Sequence, residues 1–215
     1  MNNPSRTTNW LVWGSLVAVI AAISGAFLVS KLKPAAAPLP VYGPVADFAL
    51  TNQNAQPVAL TDLRGKVWLA DIIFTRCPGP CARMTKQMRE LQQALPAASA
   101  ARLVSLTTDA DFDTPSVLQQ YAARFGADFR RWLFLTGDKR AIANLAIDSL
   151  KLTALEKPAA ERTSPEDLFV HSTIFVLVDK QAQLRGVFET GGENTDWEKS
   201  KAAILTAVSQ LEREP

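Results

Sequence analysis

The sequence predicts a mixed α/β domain carried behind a single membrane-spanning helix. Three observations lead there. Short apolar runs alternate with stretches of helical period through most of the chain, the pattern of strands and helices sharing one sheet. A 21-residue run without a charge, from Trp10 to Ser30, is long enough to cross a bilayer core as one helix. Between the two, Pro34, Pro38, Pro40 and Pro44 stand among alanines, which is the composition of an extended spacer.

The chain of 215 residues is 47% hydrophobic, enough for one ordinary domain with a full core plus appendages. Its formal charge of +2 gives no support to nucleic-acid binding. The expected divisions are a polar tail (1–9), a transmembrane anchor (10–30), a Pro/Ala-rich linker (31–46) and one domain (47–215). Trp10 and Trp13 would sit at one membrane interface. The apolar run exceeds the usual core of a signal peptide, and Lys31 and Lys33 separate it from Ala35-Ala36-Ala37, so it reads as a retained span. No cysteine follows it, which leaves no site for lipid attachment there. Charge does not orient it, since Arg6 lies on one side and both lysines on the other.

Within the domain, 48–50 and 58–60 flank the turn-rich Asn52-Gln53-Asn54 and predict an N-terminal hairpin. Asp62 to Lys66 is a turn into a core strand over 67–74. Met84, Met88, Leu91 and Leu95 form one apolar stripe on a helix over 82–95, a core face rather than a set of thioether ligands. A strand over 103–106 follows. Thr114-Pro115 reads as an N-cap with proline at the first helical position, opening a helix to about Phe125, and Asp113 as part of that helix start. Next come a strand over 132–135, a helix over 138–150 and a polar, irregular stretch over 151–168. Two strands, 173–178 and 184–189, close around Asp179-Lys180-Gln181, and a last helix runs from 196 to 211.

The chemistry centres on Cys77-Pro78-Gly79-Pro80-Cys81, which holds the only two cysteines of the chain. They stand where a strand ends and a helix begins, a recurrent place for ligand sites in open α/β sheets. With Cys81 in the first helical turn, the two Cα atoms would be about 6 Å apart, within the span of a disulfide. The pair could be a structural bridge, a redox couple or a soft-metal site. A bridge closing so short a loop would stabilise little, which favours the functional readings. The single histidine, His171, stands at the head of the apolar run Ser172 to Asp179. Two thiolates and an imidazole suit copper as Cu(I) or Cu(II); three ligands fall short of a closed structural zinc site. Arg76, Arg83, Lys86 and Arg89 are either ordinary surface charges or, near the thiols, cations that favour thiolate. With the helix N-terminus they predict a thiol pKa below about 8.5 for at least one cysteine.

The element order resembles a thioredoxin-like fold, and the motifs resemble the Sco/SenC family, the membrane-anchored copper-binding proteins of cytochrome c oxidase assembly. The resemblance covers roughly 45–212. It rests on Leu63-Arg64-Gly65-Lys66-Val67-Trp68, on Phe74-Thr75-Arg76-Cys77-Pro78-Gly79-Pro80-Cys81, and on the acidic loop Asp109-Ala110-Asp111-Phe112-Asp113-Thr114-Pro115. Tyr121 to Ala127 and His171-Ser172-Thr173 through Asp179 complete it. Ala82, Ala110 and Phe112 depart from residues common in the family at those places, which alters the rim of the site.

The resemblance implies that Cys77, Cys81 and His171 hold one copper ion. It implies delivery of that ion to the copper A-containing subunit of cytochrome c oxidase, with a copper donor or a thiol reductant as a further partner. It also implies a bacterial inner membrane location with the domain in the periplasm, or the mitochondrial inner membrane as the alternative. No catalytic residue is assigned beyond Cys77 and Cys81 as a redox pair. The competing function is a thiol–disulfide oxidoreductase that reduces the cysteines of the recipient copper site.

Overall fold

The computed structural model describes residues 6–31, 37–77, 79–162, 168–192 and 195–215. The chain divides into two compact units between Pro38 and Leu39. In the first, the uncharged run lies in helix α1, Arg6–Lys31. Its side chains are described over residues 10–25, and there they are exposed. Among the described residues, no helix is long and apolar enough to cross a membrane.

The second unit is built on an eight-stranded sheet. Its strands are β1 (Gly43–Pro44), β2 (Ala49–Asn52), β3 (Pro57–Ala59), β4 (Trp68–Ile73), β5 (Arg102–Thr107) and β6 (Trp132–Thr136). A separate two-stranded ribbon pairs β7 (Ala154–Glu156) with β8 (Phe169–His171), and β9 (Ile174–Val178) and β10 (Gln183–Glu189) return to the main sheet. The main order is β1-β10-β9-β4-β5-β6-β2-β3. The three central strands β4, β5 and β6 run parallel, while β9 joins β4 antiparallel.

Every residue of β4 is buried. Alternation along it sends Leu69 and Ile73 to one core and Trp68, Ala70 and Ile72 to the other. The first core receives α3 (Pro80–Ala94), α4 (Pro115–Arg124) and α6 (Trp197–Arg213). The second receives α2 (Leu60–Leu63) and α5 (Lys139–Ala143) with its π-helical continuation Asn144–Ser149. The methionine stripe of α3 packs as expected, with Met84, Met88 and Leu91 buried against the sheet.

Several details depart from the sequence reading. Residues from Leu39 onward already belong to the globular unit: Val45 is buried, and β1 pairs with β10. Leu60 begins a helical turn rather than ending a strand, because the Asp62 carboxylate accepts the Ala59 amide at 2.8 Å. The helix after Asp138 widens at Asn144, where the Leu150 amide reaches back five residues to the Leu145 carbonyl. That turn places the Ser149 hydroxyl to accept the Ala46 amide at 3.1 Å. The irregular stretch 151–168 contains β7. His171 ends β8 instead of heading the central strand, since Ser172 and Thr173 break the ladder before β9 begins.

One buried ion cluster closes the unit at its N- and C-terminal segments. The Arg185 guanidinium donates to the Asp179 carboxylate at 2.7 Å and to Glu214 at 2.9 Å. It also donates to the carbonyls of Leu39 and Pro40, both at 3.0 Å. Side-chain exposure is only 8% for Arg185 and 4% for Asp179, so neither can fall back on water if its partner is lost. Arg185→Ala should therefore destabilise the domain by about 3 kcal/mol, the usual cost of stranding a buried charge. Urea unfolding of the two proteins measures it; a change under about 1 kcal/mol would mean water reaches the cluster.

Candidate metal and redox site

Strand β4 runs out at Ile73, and the chain must turn to start α3 seven residues later. Pro80 supplies the fixed φ of a first helical position. Cys81 follows inside the first turn, as the sequence reading expects. Its sulfur is buried and accepts the Phe74 amide at 3.4 Å. Cys77 is half-buried, its amide donating to the Phe74 carbonyl at 3.2 Å. The two side chains meet: Cys77 hydrogen-bonds Cys81. The structure thus brings the sequence-predicted pair together. Among the described residues, no set of three or more histidine, cysteine or acidic groups gathers around a metal position.

Electrostatics at Cys81 run against the expectation of an acidified thiol. Its pKa is pushed far up, first by the hydrogen bond with Cys77, then by burial, then by the repulsion of a second sulfur. The Phe74 amide works the other way and is outweighed. The nearby arginines are engaged elsewhere. Arg76 donates through Nε to Asp109 at 3.0 Å and lies over the Phe112 ring at 4.2 Å. Arg83 rests against Gly191, where an added Cβ would come within 2.5 Å of its Nη2. Full removal of both thiol protons needs a counter-charge such as a bound cation.

Asp113 is the residue that sequence reasoning missed. Thr114 does cap α4, accepting the Val117 amide at 3.4 Å, but Asp113 has a different task. It is fully buried. Its carboxylate accepts the Thr75 amide at 3.1 Å, the Thr107 hydroxyl at 2.5 Å and the Thr75 hydroxyl. Together with the Arg76–Asp109 pair, this ties two consecutive residues just before Cys77 to the acidic loop. No local pattern announces the tie to the cysteine turn, because Thr75 is 38 positions from Asp113.

The other side of the cysteine turn meets the β7–β8 ribbon. Phe169 packs edge-on against Phe74, ring centres 5.2 Å apart. Residue 171, the predicted histidine ligand, lies two positions further along β8. Below the thiols, the Thr85 hydroxyl donates to the Cys81 carbonyl and shares a 2.8 Å hydrogen bond with Tyr121.

A pair of vicinal thiols at the end of a parallel strand, on a sheet covered by helices on both faces, defines a thioredoxin-like thiol protein. The comparisons carry this further. The SCO1/SenC family matches residues 42–206, and the chain belongs to that family. It is 35% identical over 165 residues to the SCO1 protein homolog of Bacillus subtilis strain 168, covering 76% of this chain and 82% of that one. The BsSco structure, described by its disulfide switch and its place among the Sco cytochrome c oxidase assembly proteins, is 31% identical, with a TM-score of 0.65, covering 81% of this chain and 99% of that one. A SCO1/SenC family lipoprotein of Bacillus anthracis is 29% identical, with a TM-score of 0.66, covering 80% and 96%. Copper-bound ScoI of Bradyrhizobium japonicum, at 22% identity, shares the fold, with a TM-score of 0.63 over 78% of this chain and 99% of that one.

Asp113 allows a test by stability against pH. Burial raises its pKa above the ordinary carboxylate range, outweighing the three hydrogen bonds it accepts. A raised folded-state pKa contributes stability that is complete below the unfolded value of about 3.9 and is lost as pH rises through the folded value. Measured against Asp113→Asn, the wild-type protein should gain relative stability on acidification through that window; a flat difference would show that Asp113 does not titrate as a buried acid. Asp113→Ala should cost about 2–3 kcal/mol by stranding the Thr75 amide and two hydroxyls.

Proposed function

We propose that this chain is a copper carrier for the assembly of the copper A centre of cytochrome c oxidase. The observation that carries the reading is the contact between the Cys77 and Cys81 thiols at the end of β4 in a SCO1/SenC chain. Two sulfurs in contact select a soft ion, and copper is the soft ion that an added imidazole also suits. His171 is the proposed third ligand. Its support is the match of His171-Ser172-Thr173 to the family's histidine strand, together with the Phe74–Phe169 contact two residues before it. A relative from Stutzerimonas stutzeri, 31% identical over 150 residues, carries a name that provisionally assigns copper binding. Three ligands leave an open position through which a recipient thiolate could take the ion.

The same thiol contact favours a second reading, reduction of the recipient's cysteines. In that exchange the Cys77 and Cys81 thiols lose two protons and two electrons and form one disulfide, while the recipient's disulfide takes up both and opens. The disulfide switch described for BsSco belongs to that protein and adds support here only by relation. His171 separates the readings, since a copper carrier needs it and dithiol exchange does not.

Copper titration of the reduced protein decides between them. The wild type should bind one ion, with sulfur-to-copper charge transfer for Cu(II). Cys77→Ser and Cys81→Ser should each abolish that band. His171→Ala should weaken Cu(II) binding by roughly tenfold or more, about 1.4 kcal/mol, and Cu(I) binding less. Unchanged affinity in the histidine variant would leave the thiol-exchange reading.

The 10–30 run is proposed as a retained anchor that holds the domain on the periplasmic face of a bacterial inner membrane, with the mitochondrial inner membrane as the alternative. Its support is the uncharged length of that run in the sequence. Protease added to spheroplasts should digest the domain, and protease added to inverted inner-membrane vesicles should not; the opposite pattern would place it in the cytoplasm.

A further inference from the structure

The end of the sheet away from the cysteines carries an unusual set of cations. The turn 96–101 joins α3 to β5, and four basic side chains around it donate to backbone carbonyls rather than to carboxylates. Arg131 donates to Pro96 at 3.0 Å, Ala97 at 2.7 Å and Ser99 at 3.2 Å. Arg102 donates to Ala100 at 2.8 Å. Lys180 donates to Glu212 at 2.9 Å and Lys66 to Asp62 at 2.7 Å, in each case to the main-chain oxygen. Among the described residues none of the four forms a salt bridge.

Of the acidic groups nearby, Asp128 is paired with Arg130, while the Glu212 carboxylate accepts the neutral Ser99 hydroxyl and Ala100 and Ala101 amides and keeps its charge, one against the four cations. Carbonyls fix the position of a cation without cancelling its charge. The result is a rigid positive face on a domain that is slightly acidic overall: all 21 acidic residues lie beyond Pro38, against 20 of the 23 basic ones.

Two shallow cavities open on this face. The charged lining of one, of about 550 Å³, is Arg102, Arg130, Arg131 and Asp128; that of the other, of about 440 Å³, is Lys66, Lys180 and Glu212. They share Ser99 and Ala100 of the turn. Arg131 donates through one terminal nitrogen only, and Arg102 likewise, so each guanidinium keeps further N–H groups for an oxyanion.

We propose that this basic end of the domain docks on an anionic lipid surface, with phosphodiester headgroups as the groups bound. Covalent reach favours lipid over a soluble anion, and this part rests on the anchor reading above. Seven residues lie between Lys31 and Leu39, and the eight steps from one to the other span at most about 28 Å. Leu39 and Pro40 are fastened by Arg185, whose partner Glu214 also gives its main-chain oxygen to Lys180. A tethered domain would therefore reach a bilayer with this end sooner than with the cysteine end, one strand length away. Cations near an anionic bilayer contribute about 1 kcal/mol each.

The test uses the full chain in vesicles of phosphatidylcholine alone and of phosphatidylcholine with about one-third phosphatidylglycerol. Acylation of lysines is read by mass spectrometry. Lys66 and Lys180 should be labelled at least threefold more slowly in the anionic vesicles, with Lys86 and Lys199 unchanged. The protection should vanish near 0.5 M NaCl, where screening shortens the reach of charge to a few ångströms. Arg102→Gln should weaken it in proportion to the lost charge; if that variant folds poorly, the salt and lipid dependence still decide. Equal labelling in both vesicles would overturn the proposal, as would protection that survives high salt. Inorganic phosphate giving the same protection on phosphatidylcholine vesicles would also overturn it, marking a free-phosphate site. Flotation separates this from the anchor: a chain that floats only with anionic vesicles refutes the anchor and keeps the docking face. A chain that floats with both vesicles but shows no lipid-dependent protection does the reverse.

Discussion

The structure depends on one strand that has no solvent face. Because β4 is covered by α3, α4 and α6 on one side and by α5 with its π-helical extension on the other, every position in it must be buried. That requirement fixes the register of its neighbours: Leu69 stands beside Leu103 on β5 and beside Leu177 on β9, all three in the same core. It also fixes where the strand delivers its C-terminal end, and the cysteine turn is that end. Displacing the strand by one residue would exchange its two faces and swing Ile73 away from α3.

Rigidity at the cysteine turn comes from long-range polar contacts more than from the turn itself. Between Phe74 and Cys81 the Phe74 amide donates to the Cys81 sulfur and the Cys77 amide to the Phe74 carbonyl. Asp113 and Asp109 hold the turn from one side through Thr75 and Arg76, and Phe169 from the other. Cys81 is buried, so a thiolate there needs a nearby cation to stabilise its charge. Exposed Phe112 lies under the partly exposed Arg76 guanidinium at the rim of the cysteine turn.

Sequence alone determined the alternation of strands and helices, the methionine stripe of α3, the Thr114-Pro115 start of α4 and the pairing of Cys77 with Cys81. Each is written in spacing that local physics enforces: period 2 along buried strands, 3.6 along helices, and an i, i+4 separation of the thiols at a helix start. Tertiary structure decided the rest. Asp113 reads locally as a helix-start residue and becomes a clamp only because β5 lies next to β4 and brings Thr107 and Thr75 to one carboxylate. The β7–β8 ribbon was hidden because its strands are only three residues long and their partners 15 or so residues apart. The Cys81 thiol could not be judged from neighbouring arginines, since their ion pairs and packing, and the burial of the sulfur, depend on chain segments far away in sequence. Spacing fixes which residues share a face; only packing fixes what that face meets, and so which charges are screened, cancelled or stranded.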